Sequence, residues 1–177
     1  MKHLLLTTIA AVVLVGCGRS ELLLWKFSKE FYAAVENNDK EAVKKAVADS
    51  RMRPHSMENA LRYAADKGQK EIVKILIAGG ADVNSSSIYG LTPLMFAASN
   101  GHKEITKLLI TKGADLNATT RYSGRTFDDG VETTWATGPQ EKATVLDQAL
   151  ANQHTEIANL LRKHGGKTGE ELKAAGK

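Results

Sequence analysis

A chain of 177 residues, 42% hydrophobic and 25% charged, suits one compact domain. The formal net charge of +4 is mixed along the chain without a basic block, which argues against nucleic acid as a partner, and a single cysteine, Cys17, excludes a disulfide framework. Aromatic residues make up only 6% while alanine is abundant, so closely packed helices are favoured over a large aromatic core.

The first residues stand apart from the fold. Lys2 gives a positive start, and Leu4 to Val15 is an apolar run of 12 residues, too short to span a bilayer. That is the pattern of a secretory signal peptide. Its end, Leu14-Val15-Gly16-Cys17, resembles the lipobox of bacterial lipoproteins. The resemblance implies cleavage before Cys17, a diacylglycerol on its sulfur and acylation of the new N-terminus, and several acyl chains make a stable anchor. Gly18, rather than an aspartate, follows the cysteine, which implies sorting to the outer membrane with the protein facing the periplasm. Residues 1–16 are thus expected to be a lipoprotein signal peptide and residues 17–28 the lipidated cysteine and tether. Ten residues from Gly18 to Phe27 reach at most about 35 Å. Leu22, Leu23, Leu24, Trp25 and Phe27 are apolar for a linker; packing on the first helix is favoured over contact with the bilayer interface, which would suit Trp25 beside Lys26.

From there the chain repeats itself. The most complete unit runs from Ile88 to Asn117. Thr92 is placed to cap a helix whose first residue is Pro93, and Leu94, Ala97 and Ala98 line one face. Gly101 can close that helix in a left-handed conformation, Ile105, Leu108 and Leu109 line a second helix, and Gly113 ends it. Ala64 to Ile72 matches Ala97 to Ile105 at an offset of 33, as Ala81-Asp82-Val83-Asn84 matches Ala114-Asp115-Leu116-Asn117. Ala34 to Val43 matches the unit at Ala64 at an offset of 30, and Thr144 to Ala149 with His154 to Ile157 matches Thr92 to Ala97 with His102 to Ile105 at an offset of 52. A two-helix unit cannot bury its apolar face alone, so such copies are expected to stack. The Ile/Leu faces should fill the layers between copies, Leu108 among them.

These words resemble the ankyrin repeat. Thr92-Pro93-Leu94, Ala97-Ala98, Gly101-His102, Glu104-Ile105, Leu108-Leu109 and Gly113-Ala114-Asp115-Leu116-Asn117 form a nearly complete pattern, with Met95 where histidine is usual. The second unit lacks the threonine-proline start, the first lacks the glycine closures, and the fourth has Gln153 where the third has Gly101. The resemblance implies an all-α ankyrin-repeat solenoid of about four helix–turn–helix repeats at 29–53, 56–87, 88–120 and 143–168, within a domain of residues 29–168. The outer repeats are expected to act as caps, because one face of each meets solvent. Residues 169–177 read as a C-terminal tail with a frayed helical end.

The last offset exceeds the repeat by 19 residues, and the excess falls in an insertion at 118–142. Loops this long are uncommon in compact domains. Tyr122, Phe127, Val131 and Trp135 are bulky and strand-prone, and Phe127-Asp128-Asp129-Gly130-Val131 can form a hairpin with Asp-Gly in its turn. Arg121, Tyr122, Arg125, Phe127 and Trp135 have the composition of a binding hot spot for a protein partner, or else pack the insertion onto repeats three and four. A second candidate is the loop from Asn84 to Tyr89; on the family pattern Tyr89 is exposed.

No catalytic constellation accompanies the repeats. His102 stands where the family often has histidine and His154 echoes it, while His55 and His164 are isolated, so no metal ligand set emerges. Gly165-Gly166-Lys167-Thr168 follows a helix rather than a strand and is not read as a phosphate loop. No cofactor, small-molecule substrate or nucleic acid is expected. The expectation is a non-enzymatic, membrane-anchored binding module that engages an envelope protein, supporting an enzyme or neutralising a toxin as an immunity protein. A structural spacer and, more remotely, a hydrolase are the alternatives.

Overall fold

A computed structural model describes residues 26–120, 126–128, 131–133 and 142–176. The lipobox and Cys17 lie outside those residues.

Four antiparallel helix pairs follow one another. They are α1 (described over 26–36) with α2 (Lys40–Val47), α3 (Pro54–Asp66) with α4 (Lys70–Ala78), α5 (Pro93–Ser99) with α6 (Lys103–Thr111), and α7 (Val145–Ala151) with α8 (Thr155–Lys163). The first helices stack as a row, α3 on α5 on α7, and the second helices as another, α2 on α4 on α6 on α8. A short α9 (Gly169–Ala174) ends the described chain, and β1 (Thr126–Asp128) and β2 (Val131–Thr133) form an antiparallel ribbon before the last pair. The expected all-α solenoid of four repeats with a hairpin insertion is thus the observed architecture.

Each pair is closed by one turn. The residue after the turn donates its N–H to a carbonyl five positions back, Asp39 to Ala34, Gln69 to Ala64, His102 to Ala97 and His154 to Ala149, each at 2.9 Å. The turn needs a left-handed residue: Asn38 (φ +54°), Gly68 (+71°), Gly101 (+78°) and Gln153 (+61°) supply it. The first repeat therefore has its closure after all, through asparagine, which tolerates this region better than most side chains. Helix starts vary more. Thr92 caps α5 through Met95 N–H and Pro93 is the first helical residue. α3 has no threonine at the matching position and starts six residues earlier, on Pro54.

The core runs along the whole stack. Leu61, Leu76, Leu94, Leu109, Leu146 and Leu161 are fully enclosed, and the paired alanines Ala64-Ala65 and Ala97-Ala98 bring neighbouring helices close. Leu109, not Leu108, fills the central layer; Leu108 lies only partly buried at its margin. Both satisfy helical spacing with Ile105, and it is the packing of α6 among α4, α5 and α8 that selects between them.

The segment after Gly169 is a capped helix rather than a frayed end. Thr168 and Glu171 form a reciprocal capping box, and Gly169 N–H donates to Asp147 Oδ2 at 2.8 Å. A Cβ at Gly169 would stand 2.6 Å from the Lys142 carbonyl oxygen, so only glycine permits that approach.

Candidate functional site

All connections between repeats emerge on one edge of the solenoid, where second helices end and first helices begin. Asparagines knit this edge together. Asn84 donates from Nδ2 to the Gly113 carbonyl (3.2 Å) and accepts at Oδ1 from Asp115 N–H (2.8 Å). One repeat on, Asn117 Oδ1 accepts from Lys167 N–H at 2.9 Å. That bond also explains Gly165 to Thr168, which is an inter-repeat turn leading into α9.

The insertion leaves this edge through a closed neck. Thr119 and Thr144 face each other as an antiparallel bridge, Thr120 N–H donates to the Ala143 carbonyl (2.9 Å), and Ala143 N–H donates to Thr120 Oγ1 (3.1 Å). Thr120 and Thr144 are buried. Thr144 also caps α7, and Asp147 Oδ2 accepts from Thr144 N–H, Thr144 Oγ1–H and Gly169 N–H within 2.9 Å. One carboxylate oxygen therefore ties the neck, the last repeat and α9 together.

Beyond the neck, Phe127 lies in β1 opposite Glu132, between the pairs Thr126–Thr133 and Asp128–Val131. That register leaves two residues, Asp129 and Gly130, between the strands, and they lie outside the described residues. Arg121, Tyr122, Arg125 and Trp135 lie outside the described residues. Tyr89 differs from expectation. It is half-buried against the core, with its N–H bonded to Ser87 Oγ, while its neighbour Ile88 is 74% exposed. The Ser87 hydroxyl also accepts from Leu91 N–H, and that tight loop turns Tyr89 inward.

A row of side chains runs along the first helices. Tyr63, Phe96 and Gln148 occupy the same position in successive repeats, and the Lys67 ammonium stands 5.7 Å from the Tyr63 ring centre. Gln148 is only 3% exposed, and neither its amide nitrogen nor its oxygen has a hydrogen-bond partner among the described residues. The offsets of 33 and 52 that align the alanines also align this row, through the residue before Ala97 and its copies.

The opposite edge is built for stacking. His102 Nε2 donates to the Asp66 carbonyl (2.8 Å) and His154 Nε2 to the Ser99 carbonyl (2.9 Å), each ring reaching back one repeat. Each ring lies over the glycine of the preceding turn, so a Cβ at Gly68 or Gly101 would come within 2.7 or 2.8 Å of it. Alongside runs an ion-pair ladder, Lys70 with Glu104 (3.4 Å) and Lys103 with Glu156 (2.7 Å). These bonds hold the Glu104 and Glu156 carboxyls below the ordinary glutamate value, and the Glu156 contact raises Lys103 above the ordinary lysine value. A shallow depression of ≈ 350 Å³ between Gly101 and His154 is lined by the Lys103–Glu156 rung of this ladder with Gln153, Thr155 and Ile157. Among the described residues, no cluster of histidine, cysteine and carboxylate side chains could hold a metal ion.

A family model described as ankyrin repeats (3 copies) matches residues 31–120. The chain belongs to the ankyrin-repeat family. No curated protein matches it. The matched span ends at the neck, and the fourth ankyrin repeat beyond it is recognised by structure: the same turn bond, the same reach of His154, the same asparagine contact at Lys167. Ankyrin repeats form a protein–protein interaction module, a scaffold that is typically not enzymatic.

Proposed function

We propose that this ankyrin-repeat protein is a lipoprotein held through Cys17 at the periplasmic face of the outer membrane, where it binds another envelope protein. The insertion at 118–142, with Arg121, Tyr122, Arg125, Phe127 and Trp135, is the principal binding element, and the loop ending at Tyr89 flanks it on the same edge. The observation that carries this reading is the neck. A segment that leaves and re-enters the stack between two buried threonines, braced by Asp147, is set apart from the repeats, and its aromatic and arginine residues have the composition used for recognition. The partner is an enzyme that the protein supports or a toxin that it neutralises.

Affinity capture from detergent-solubilised envelopes tests the site. The Arg125→Ala, Trp135→Ala double variant is expected to lose the stoichiometric partner that the parent protein retains; equal recovery removes the insertion from the site. Lipid labelling tests the anchor separately. Cys17→Ser is expected to abolish incorporation of labelled fatty acid, and label that persists defeats the lipoprotein reading. Among the described residues no helix is long and apolar enough to cross a membrane.

A further inference from the structure

The anchor and the insertion share an edge. The Arg51 guanidinium, in the loop after α2, stands 4.6 Å from the centre of the Phe27 ring near the described start of α1. The end of α2 in turn lies against the end of α4, where Val47 occupies the space that a side chain at Gly79 would need. From Gly79 the edge continues through Asn84 and Gly113 to Asn117, Lys167 and the neck at Thr120 and Ala143. The chain thus enters the solenoid at the corner of the same edge that carries the loops and the insertion. Between Cys17 and Lys26 lie eight residues, a tether that extends at most about 30 Å.

That corner is basic. Lys26, Lys44, Lys45 and Arg53 are exposed there. Lys44 and Lys45 also suit the carbonyl end of α2, where cations are favoured. Arg53 has no such role. It is the N-cap residue of α3 with no side-chain capping bond, and a positive charge at a helix N-terminus opposes the helix dipole. Of the carboxylates nearby, Glu30 pairs with Lys26 at 3.8 Å, and Asp49 is engaged by Arg51, which holds its pKa at about 2. Further along the edge, Ile88 exposes an apolar side chain at a loop tip.

We infer that the loop edge of the solenoid rests on the bilayer, with anionic phospholipid headgroups as the ligand of the corner formed by Lys26, Lys45 and Arg53. This rests on the lipoprotein reading of Cys17. The tether keeps the corner within about 30 Å of the headgroup layer, and each basic residue that reaches that layer strengthens association about fivefold. The neck at Thr120 and Ala143, from which the insertion departs, then lies on the membrane side of the solenoid, and the partner is one embedded in, or lying on, that membrane.

The test uses acylated protein purified from membranes, in vesicles of phosphatidylcholine with or without phosphatidylglycerol. With Cys17 acylated, a new cysteine is the only free thiol. A fluorophore is placed at Ser86→Cys on the loop edge or at Glu41→Cys on the opposite edge, both exposed positions, and quenched by headgroup-nitroxide lipid. In phosphatidylglycerol vesicles, quenching at position 86 is expected to exceed that at position 41 several-fold. Combining Lys26→Glu, Lys45→Glu and Arg53→Glu should bring position 86 down to the level of position 41, with unchanged circular dichroism. Equal quenching at both positions in acylated protein, or a difference that the charge reversals leave intact, overturns the orientation alone. Protein whose mass shows an unacylated Cys17 overturns the anchor and this inference with it.

Discussion

The seam between the second and third repeats and the seam between the first and second are made from equivalent helices joined by the same turn, yet they close differently. In the former, His102 lies over Gly68 and bonds to the Asp66 carbonyl. In the latter, Gln69 takes the place of the histidine and Asn38 that of the glycine, and Gln69 Oε1 is buried with no partner among the described residues. The comparison separates two demands that a turn glycine usually hides. Positive φ is one, and asparagine meets it at +54°. Room for the ring of the next repeat is the other, and only glycine meets that. The last repeat agrees: no fifth repeat follows Gln153 among the described residues, and a side chain is accepted at +61°.

Four measurements test this contrast. The largest effect belongs to what the seams share. Leu76 and Leu109 are both fully buried, so Leu76→Ala and Leu109→Ala should each cost about 2–5 kcal/mol in urea denaturation, with similar values. A much cheaper Leu76→Ala would place the difference in the core rather than in the turn.

Next come the turns themselves. Gly68→Ala puts an L side chain into the left-handed region and a Cβ 2.7 Å from the His102 ring, so the strain of about 1–2 kcal/mol is joined by the loss of the histidine bond, about 1–3 kcal/mol. Asn38→Ala incurs only the first kind of cost. Equal losses of midpoint temperature for the two variants would refute the role given to the ring. A third, smaller effect tests the pairing directly. Gln69→His alone should gain nothing, whereas combined with Asn38→Gly it should stabilise, and the double-mutant cycle should show a coupling of about 0.5–3 kcal/mol. A cycle that sums to zero would mean the two positions do not meet.

The smallest effect comes from the ladder outside the seams. Glu104 and Glu156 are held below the ordinary carboxyl value of 4.5 by Lys70 and Lys103. A depressed carboxyl adds stability above its unfolded pKa and loses it as pH falls through the folded one. The melting temperature should therefore drop below about pH 4.5, and Glu104→Gln should flatten that drop slightly. Lys103 works in the other direction, with stability present below 10.5 and lost as pH rises past its raised value. Since these groups are exposed, high salt should reduce both slopes.

Most of the scaffold is legible in the sequence because repeats state each physical requirement several times. Thr92 and Pro93 announce a helix start by local chemistry alone, and glycine at an offset of 33 announces a turn twice. Sequence and structure part where a local signal depends on its spatial neighbour. Leu108 and Leu109 share a helical stripe, and only the packed neighbour decides which is enclosed. Tyr89 faces outward on the family pattern, but Ser87 folds its loop back through two backbone N–H bonds. The helix after Gly169 depends on Asp147, 22 residues earlier, as much as on its own capping box. For the candidate site, the Asp-Gly turn announces the strand register around Phe127, while nothing in a single sequence shows that Thr120 and Ala143 close the neck.

The neck has a consequence for how such a protein can change over generations. Because the insertion departs and returns across one pair of bonded residues, its length is decoupled from the stacking of the repeats. Doubling a flexible loop costs only about 0.6 kcal/mol in closure entropy. In the proposed function, recognition can accordingly diverge by exchange or elongation of this one segment, while the solenoid that presents it is held constant.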